Sequence, residues 1–138
     1  MVQLGLVVAQ FNKRDPVTHE MADRAREAAS DRGATILETV EVPGSYDAPL
    51  AADRLARRED VDAVAVVGAI VSGDTDHDAV IADAAAQGLT DVSLDRDTPV
   101  TFGVTGPGMS ADEAAARVDY GATAVESAID LVEELPDA

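Results

Sequence analysis

Two hydrophobic rhythms alternate along this chain. Four short, apolar strand-like runs occupy residues 2–9, 35–42, 61–70 and 99–104, some of them continuous. Val64-Ala-Val-Val67 is typical of them. A run without polar alternation fits a strand covered on both faces, as in a parallel sheet. Four stretches with helical spacing follow the runs. In the first, Asp15 is placed to cap and Pro16 stands at the opening position, where its missing N–H is not needed. Val17, Met21, Ala25, Ala28 and Ala29 form its apolar face, and Gly33 stops it. The second runs from about residue 47 to 58, with Leu50, Ala51 and Leu55 inward. The third starts near Thr75, where Thr75 and Asp78 resemble a weak capping box, and is read as stopping at Gly88. The fourth opens on Ser110-Ala-Asp-Glu113, a full capping box. It carries Val118, Ala122, Val125, Ile129 and Val132 on one stripe until Pro136.

Strands that alternate with helices need crossover connections, which produce a parallel sheet with helices on both faces. The pattern predicts one α/β domain over residues 1–138, a flavodoxin-like three-layer sandwich with a four-stranded parallel sheet in the order 2-1-3-4. Ligands in such folds bind at the carboxyl ends of the strands. Four loops then carry the chemistry: 10–14, 43–47, 71–77 and 105–109.

Charge narrows the partners. The chain of 138 residues has 27 acids against 10 bases, a net charge of −17, and Lys13 is its only lysine. The acids are spread through the helical stretches, so they belong to a folded surface and not to a disordered tail. Such a surface repels nucleic acid and anionic membranes. It fits a salt-rich cytoplasm, where ions screen the self-repulsion. No apolar run approaches the ~20 residues that span a bilayer, and the N-terminus has no signal pattern. Absence of cysteine removes disulfides, thiolate catalysis and cysteine metal sites.

The loops hold the candidate chemistry. Phe11 and Asn12 follow the first strand, and a ring at a strand end can stack on a planar ligand or simply fill the core. Val42-Pro-Gly-Ser-Tyr-Asp-Ala-Pro49 follows the second. Asp47 there either caps the next helix or accepts hydrogen bonds from ligand hydroxyls. Gly68-Ala-Ile-Val-Ser-Gly-Asp-Thr-Asp-His-Asp78 joins a buried strand to a helix start. Helix N-termini bind anions through N–H groups that lack intrahelical partners, and a histidine beside one can move protons near neutral pH. That combination points to an enzyme handling a small phosphorylated substrate. Asp74, Asp76 and Asp78 do not form a calcium loop, because alanines stand at positions 79 and 85 where glycine and glutamate are needed. His19 reads as a surface residue. Arg117 pairs with Glu113 one turn earlier or clamps a phosphate.

These motifs, in this order, resemble the 6,7-dimethyl-8-ribityllumazine synthase family over nearly the whole chain. The resemblance rests on Phe-Asn, Pro-Gly-Ser-Tyr-Asp-Ala-Pro, Gly-Ala-Ile-Val-Ser-Gly-Asp-Thr-Asp-His, Pro-Val-Thr-Phe-Gly-Val and the arginine of the last helix. It implies condensation of 5-amino-6-(D-ribitylamino)uracil with 3,4-dihydroxy-2-butanone 4-phosphate, with no cofactor and no metal. It implies that Phe11 stacks on the pyrimidine, with the Asn12 backbone nearby. Ser45, Tyr46 and Asp47 would hold the ribityl chain, and Ala69, Ile70 and Val71 would line the heterocycle pocket. Gly73, Asp74 and Thr75 would cradle the phosphate, and His77 would be the general acid and base. Phe102 and Arg117 would arrive from a neighbouring subunit, Arg117 on the phosphate. A homopentamer, or an assembly of pentamers, follows from the same resemblance. Because the first strand begins at once, the resemblance implies no N-terminal arm lent to a neighbour's sheet.

The chain departs from the family pattern at four positions. Ser72 stands where arginine is frequent, Asp78 where an aromatic is usual, Asp47 where glutamate is commoner, and Gly121 where a basic residue is often found. The alternatives on the same scaffold are an archaeal-type riboflavin synthase and a non-catalytic flavin or lumazine carrier. A response-regulator receiver is excluded, since Phe11-Asn-Lys and Gly68-Ala occupy the places of its acidic residues.

Overall fold

Continuous apolar runs became strands, and the periodic stretches became the helices that cover them. The computed structural model of the protein describes residues 1–10, 16–71 and 77–137. Among them, β1 (Gln3–Ala9), β2 (Thr35–Val42), β3 (Ala63–Val71) and β4 (Val100–Met109) form one sheet. Its order is β2-β1-β3-β4 and every pairing is parallel, as the alternation predicts. The helices are α1 (Pro16–Asp31), α2 (Ala48–Ala56), α3 (His77–Arg96), α4 (Ala111–Ala115) and α5 (Tyr120–Glu134). The capping position expected at Asp15 lies outside the described residues.

Residues of the two inner strands alternate between two cores. Leu4, Leu6, Val8, Ala65 and Val67 pack against α1, α4 and α5 through Met21, Ala25, Val125 and Ile129. Val7, Ala9, Val64, Val66 and Ile70 pack against α2 and α3 through Ala52, Leu55, Leu89 and Val92. Both faces of the sheet are thus covered, which explains why the runs lack polar alternation. Full burial of a side chain such as Leu6 contributes about 2 kcal/mol.

Helix ends follow local rules. Gly33 takes φ +71°, and the N–H groups of Ala34 and Gly33 return to the carbonyls of Ala29 and Ser30 at 2.8 and 3.1 Å. These two bonds terminate α1 in the left-handed glycine cap that the sequence predicts. Ser110 accepts from Glu113 N, and Glu113 Oε1 accepts from Ser110 N, both at 3.2 Å, completing the expected capping box. Leu135 leaves α5 with ψ 137°, because a residue before proline is driven out of the helical region.

Four expectations need correction. α3 does not stop at Gly88 but runs on to Arg96. A Cβ at Gly88 would stand 2.7 Å from Pro49 Cγ, so this glycine lets α2 and α3 touch. The stop is Asp97, an aspartate at φ 50°, with Thr98 N bonded to Ser93 O at 3.1 Å. Aspartate tolerates the left-handed region better than most residues, but it is a fainter signal than glycine. The last helical stretch is broken into α4 and α5. Short bonds from Arg117 N to Ala114 O and from Tyr120 N to Arg117 O tighten the chain between them. The 105–109 segment is the irregular end of β4, with a cis Gly106–Pro107 bond and Met109 paired to Val71 beyond a register shift. Leu50 does not point inward; it is 60% exposed, while Leu55 is buried.

Candidate active site

The carboxyl ends of β1, β2 and β3 and the first turn of α3 enclose a cavity of about 270 Å³. Gln10 closes it on the β1 side; Pro43, Gly44 and Ser45 on the β2 side. Ala69, Ile70 and Val71 form the β3 wall, and His77, Asp78 and Ile81 the α3 wall. A larger cleft of about 450 Å³ lies at the opposite end of the sheet, lined by Ser93, Leu94, Thr98, Pro99, Leu131 and Leu135 among others. It faces the amino ends of the strands and has no histidine or arginine in its lining. The 270 Å³ cavity is therefore the candidate site.

Gly68 explains how the β2 loop reaches the sheet. A Cβ there would lie 2.9 Å from the Ala9 carbonyl oxygen and 3.3 Å from Ser45 Oγ. With only hydrogen at that position, the 43–47 loop drops onto β3 and places Ser45 in the wall. Ser45 is 4% exposed, and its Oγ has no hydrogen-bond partner among the described residues. Leaving a buried hydroxyl unpaired costs about 1–3 kcal/mol, and this residue lines the cavity. A single 3-10 turn, Ser45–Asp47, then leads into α2. Asp47 precedes α2, yet its carboxylate makes no capping bond. The capping alternative for Asp47 fails, and its exposed carboxylate stays accessible to solvent and solute. Tyr46 beside it is 64% exposed and does not line the cavity.

His77 is the first residue of α3 and stands on the cavity wall, exposed. Asp78 is half-buried, and its Oδ2 accepts from Gly108 N at 3.3 Å. Arg117 lies in the turn between α4 and α5, not two turns into a helix as its spacing implied. Among the described residues it forms no ion pair, and Glu113 is engaged by the Ser110 cap instead. Gly121 is buried against α1, and a Cβ there would collide with the Met21 carbonyl. Position 121 therefore faces α1 and not a ligand. Phe102, on the edge strand β4 and 43% exposed, lines a separate cleft of about 340 Å³ with Tyr120 and Ser127.

One chain thus brings Ser45, Ala69, Ile70, Val71 and His77 together, and leaves Tyr46, Asp47, Phe102 and Arg117 outside the cavity lining. Phe11, Asn12, Gly73, Asp74 and Thr75 lie outside the described residues. Sequence reasoning missed Ile81 as a wall residue, and named Gln10 only as the start of the first loop and Asp78 only as a weak cap and a departure. Ile81 sits one helical turn after His77 and Gln10 directly after the β1 run, which is the signal that could have found them. His19 is a surface residue as expected, its Nε2 3.4 Å from Glu41 Oε1. Among the described residues no group of His, Asp and Glu could hold a metal, and no helix is long and apolar enough to cross a membrane.

The 6,7-dimethyl-8-ribityllumazine synthase family model matches residues 1–135. The chain belongs to this family. Relatives with the same lumazine synthase name include a protein of Halorubrum lacusprofundi, 72% identical over 98% of this chain and 99% of its own. One from Halobacterium salinarum is 69% identical over 98% of this chain and all of its own length. One from Methanocaldococcus jannaschii is 44% identical over 98% of this chain and 94% of its own. Two of these lumazine synthases come from halophilic archaea, which fits the acidic surface.

Proposed function

We propose that the chain condenses 5-amino-6-(D-ribitylamino)uracil with 3,4-dihydroxy-2-butanone 4-phosphate, giving 6,7-dimethyl-8-ribityllumazine, phosphate and water, the penultimate step of riboflavin synthesis. The observation that carries this reading is the cavity at the carboxyl ends of the strands. An apolar wall, a buried hydroxyl with no partner among the described residues and a histidine meet there in a member of this family. The Ala69–Ile70–Val71 backbone and side chains suit a flat heterocycle, with Phe11 as its stacking partner and Asn12 beside it. Ser45, Tyr46 and Asp47 take the ribityl hydroxyls, and the uncapped Asp47 carboxylate supports that role.

The amine attacks the ketone carbon, a C–N bond forms and water leaves as the imine is made. Phosphate is then eliminated, and attack of the second amine closes the ring with loss of another water. Each step moves a proton, and His77 moves it. Holding both reactants in one cavity supplies much of the rate through positioning. Gly73, Asp74 and Thr75, directly before α3, cradle the phosphate at the start of that helix.

Phe102 and Arg117 complete the site of a neighbouring copy in a homopentamer. Three features support this. Both residues lie away from the cavity of their own chain. The edge strand β4 exposes Phe102 beside Tyr120. The outer side of α3 shows Val80 and Leu94, the latter 75% exposed, which water alone does not favour. The chemistry takes place in the cytoplasm and uses no cofactor.

The test is turnover in molar potassium chloride, followed by lumazine fluorescence above the uncatalysed rate. His77→Ala is expected to lower kcat by about 100-fold or more with little change in either KM. Arg117→Ala is expected to raise the KM of the phosphorylated ketone alone. A folded, oligomeric sample with no turnover would sink the proposal, and unchanged turnover in His77→Ala would remove that residue from the mechanism.

A further inference from the structure

The end of β3 and the first turn of α3 wall one side of the cavity, and the end of β4 meets both. Met109 pairs with Val71 past a register shift. Gly106, at φ +99°, lies so close to the Ile70 carbonyl that any Cβ would collide with it. Gly108, at φ +81°, has open space where a side chain would stand, so its glycine serves backbone direction. That direction presents Gly108 N to Asp78 Oδ2 at 3.3 Å. Asp78 follows His77 directly and lines the same cavity.

We propose that Asp78 is a positioning residue, whose carboxylate clips the α3 turn carrying His77 to the Gly106–Gly108 end of β4. The clip sets where His77 stands relative to the β3 wall, and so how well it reaches the reacting atoms. It gives the aspartate a task at a position where the family resemblance leads one to expect an aromatic. The competing account is a favourable charge in the first turn of a helix. That account needs no partner, whereas the clip needs an acceptor oxygen at this atom. Asparagine separates the two, because it keeps a carbonyl oxygen and drops the charge. At 3.3 Å the bond lies just beyond the usual N–H···O range of about 2.7–3.2 Å, so its effect falls on placement more than on folding.

The inference rests on the reading that His77 moves protons in this cavity. The experiment measures kcat and both KM values in molar potassium chloride for Asp78→Ala and Asp78→Asn, together with amide exchange at Gly108. Asp78→Ala is expected to lower kcat about tenfold while both KM values hold within about twofold, and Asp78→Asn to restore kcat. Gly108 N–H in the unmodified chain is expected to exchange about tenfold slower than a free amide, and at the free rate in a folded Asp78→Ala. Undiminished kcat in Asp78→Ala, or equal loss in Asp78→Asn, overturns the clip. If Asp78→Ala does not fold, exchange in the unmodified chain decides, and the free-amide rate there overturns the proposal. Undiminished turnover in His77→Ala would remove the proton-transfer reading instead, leaving the Gly108 exchange to judge the clip by itself.

Discussion

Replacing Gly121 by alanine puts two opposed effects on one methyl group. Within a helix, alanine is favoured over glycine by up to about 1 kcal/mol. At this site the new Cβ would stand 2.8 Å from the Met21 carbonyl carbon and 3.0 Å from its Cα, with the carbonyl oxygen nearer still. Carbon contacts settle at about 3.5–4.0 Å, so α5 must move off α1 by most of an ångström. The neighbours that would lose contact are Ala124, Val125 and Ala128, all almost fully buried. The obstacle is backbone and cannot rotate away. Overpacking of this kind costs about 1–3 kcal/mol before the propensity gain, and the backbone clash places it at the upper end. The expected net loss is about 2 kcal/mol, which lowers a urea midpoint by about 1 M. The assay is urea unfolding at fixed protein and potassium chloride concentration, with Gly33→Ala as a comparison. Gly33 has a positive φ but no atom within 4 Å of a Cβ, so its loss is backbone strain alone. Equal or greater stability for Gly121→Ala would refute the packing argument. The same geometry predicts that Gly121→Lys cannot restore a phosphate ligand at this position.

Ser45→Ala removes a buried hydroxyl without a partner among the described residues. Folding stability is expected to hold or rise slightly, while substrate KM rises about fivefold, the equivalent of about 1 kcal/mol; a clear loss of stability would reveal a structural partner for Ser45. The Asp53 carboxyl is held below its ordinary 3.8, chiefly by hydrogen bonds from Arg96 and with help from the charge of Arg57. A lowered folded pKa stabilises the fold above the unfolded value and is lost as pH falls through the folded one. Asp53→Asn is expected to flatten the acid limb of the stability curve below about pH 4, and an unchanged limb would contradict the pairing. Raising potassium chloride from 0.1 to 1 M shortens the screening length from about 10 to about 3 Å. The thermal midpoint is expected to rise over that range, and a fall would show that lost ion pairs outweigh relieved repulsion.

Where local chemistry is unambiguous, the sequence and the structure agree. The strand runs, the Gly33 stop, the Ser110 capping box and the sheet order all follow from spacing and single-residue preferences. Gly88 misled because a glycine at the end of a periodic stretch reads as a stop, while its task is to admit Pro49 of another helix. That contact is between elements and leaves no local mark. The turn at residues 116–119 was hidden for the same reason: the apolar stripe continues across it, with Val118 and Val125 both buried. Ser45 and His77 both line the cavity; the first was expected from the family resemblance alone, the second also from its place at a helix start. Arg117 was legible as a residue type, but not as a turn residue. Asp78 was read as a weak cap and as a departure from the family pattern, not as a partner of Gly108, which lies 30 positions away.

Six of the eight described arginines face carboxylates of their own chain, several across elements, as Arg24 does with Asp119, Arg32 with Asp130 and Arg96 with Asp53. Arg54 and Arg117 are the two outside such pairs. Among the described residues most positive charge is thus matched within the chain, and the net charge of −17 dominates at a distance. A phosphorylated reactant approaches it uphill, the reverse of the electrostatic funnel that speeds many encounters. Dissolved ions flatten that slope. The specificity constant for the ketone phosphate should climb with ionic strength, while that for the uncharged pyrimidine stays level. The salt that steadies the fold would then also govern how often one of the two reactants arrives, tying flux through this step to the ionic content of the cell.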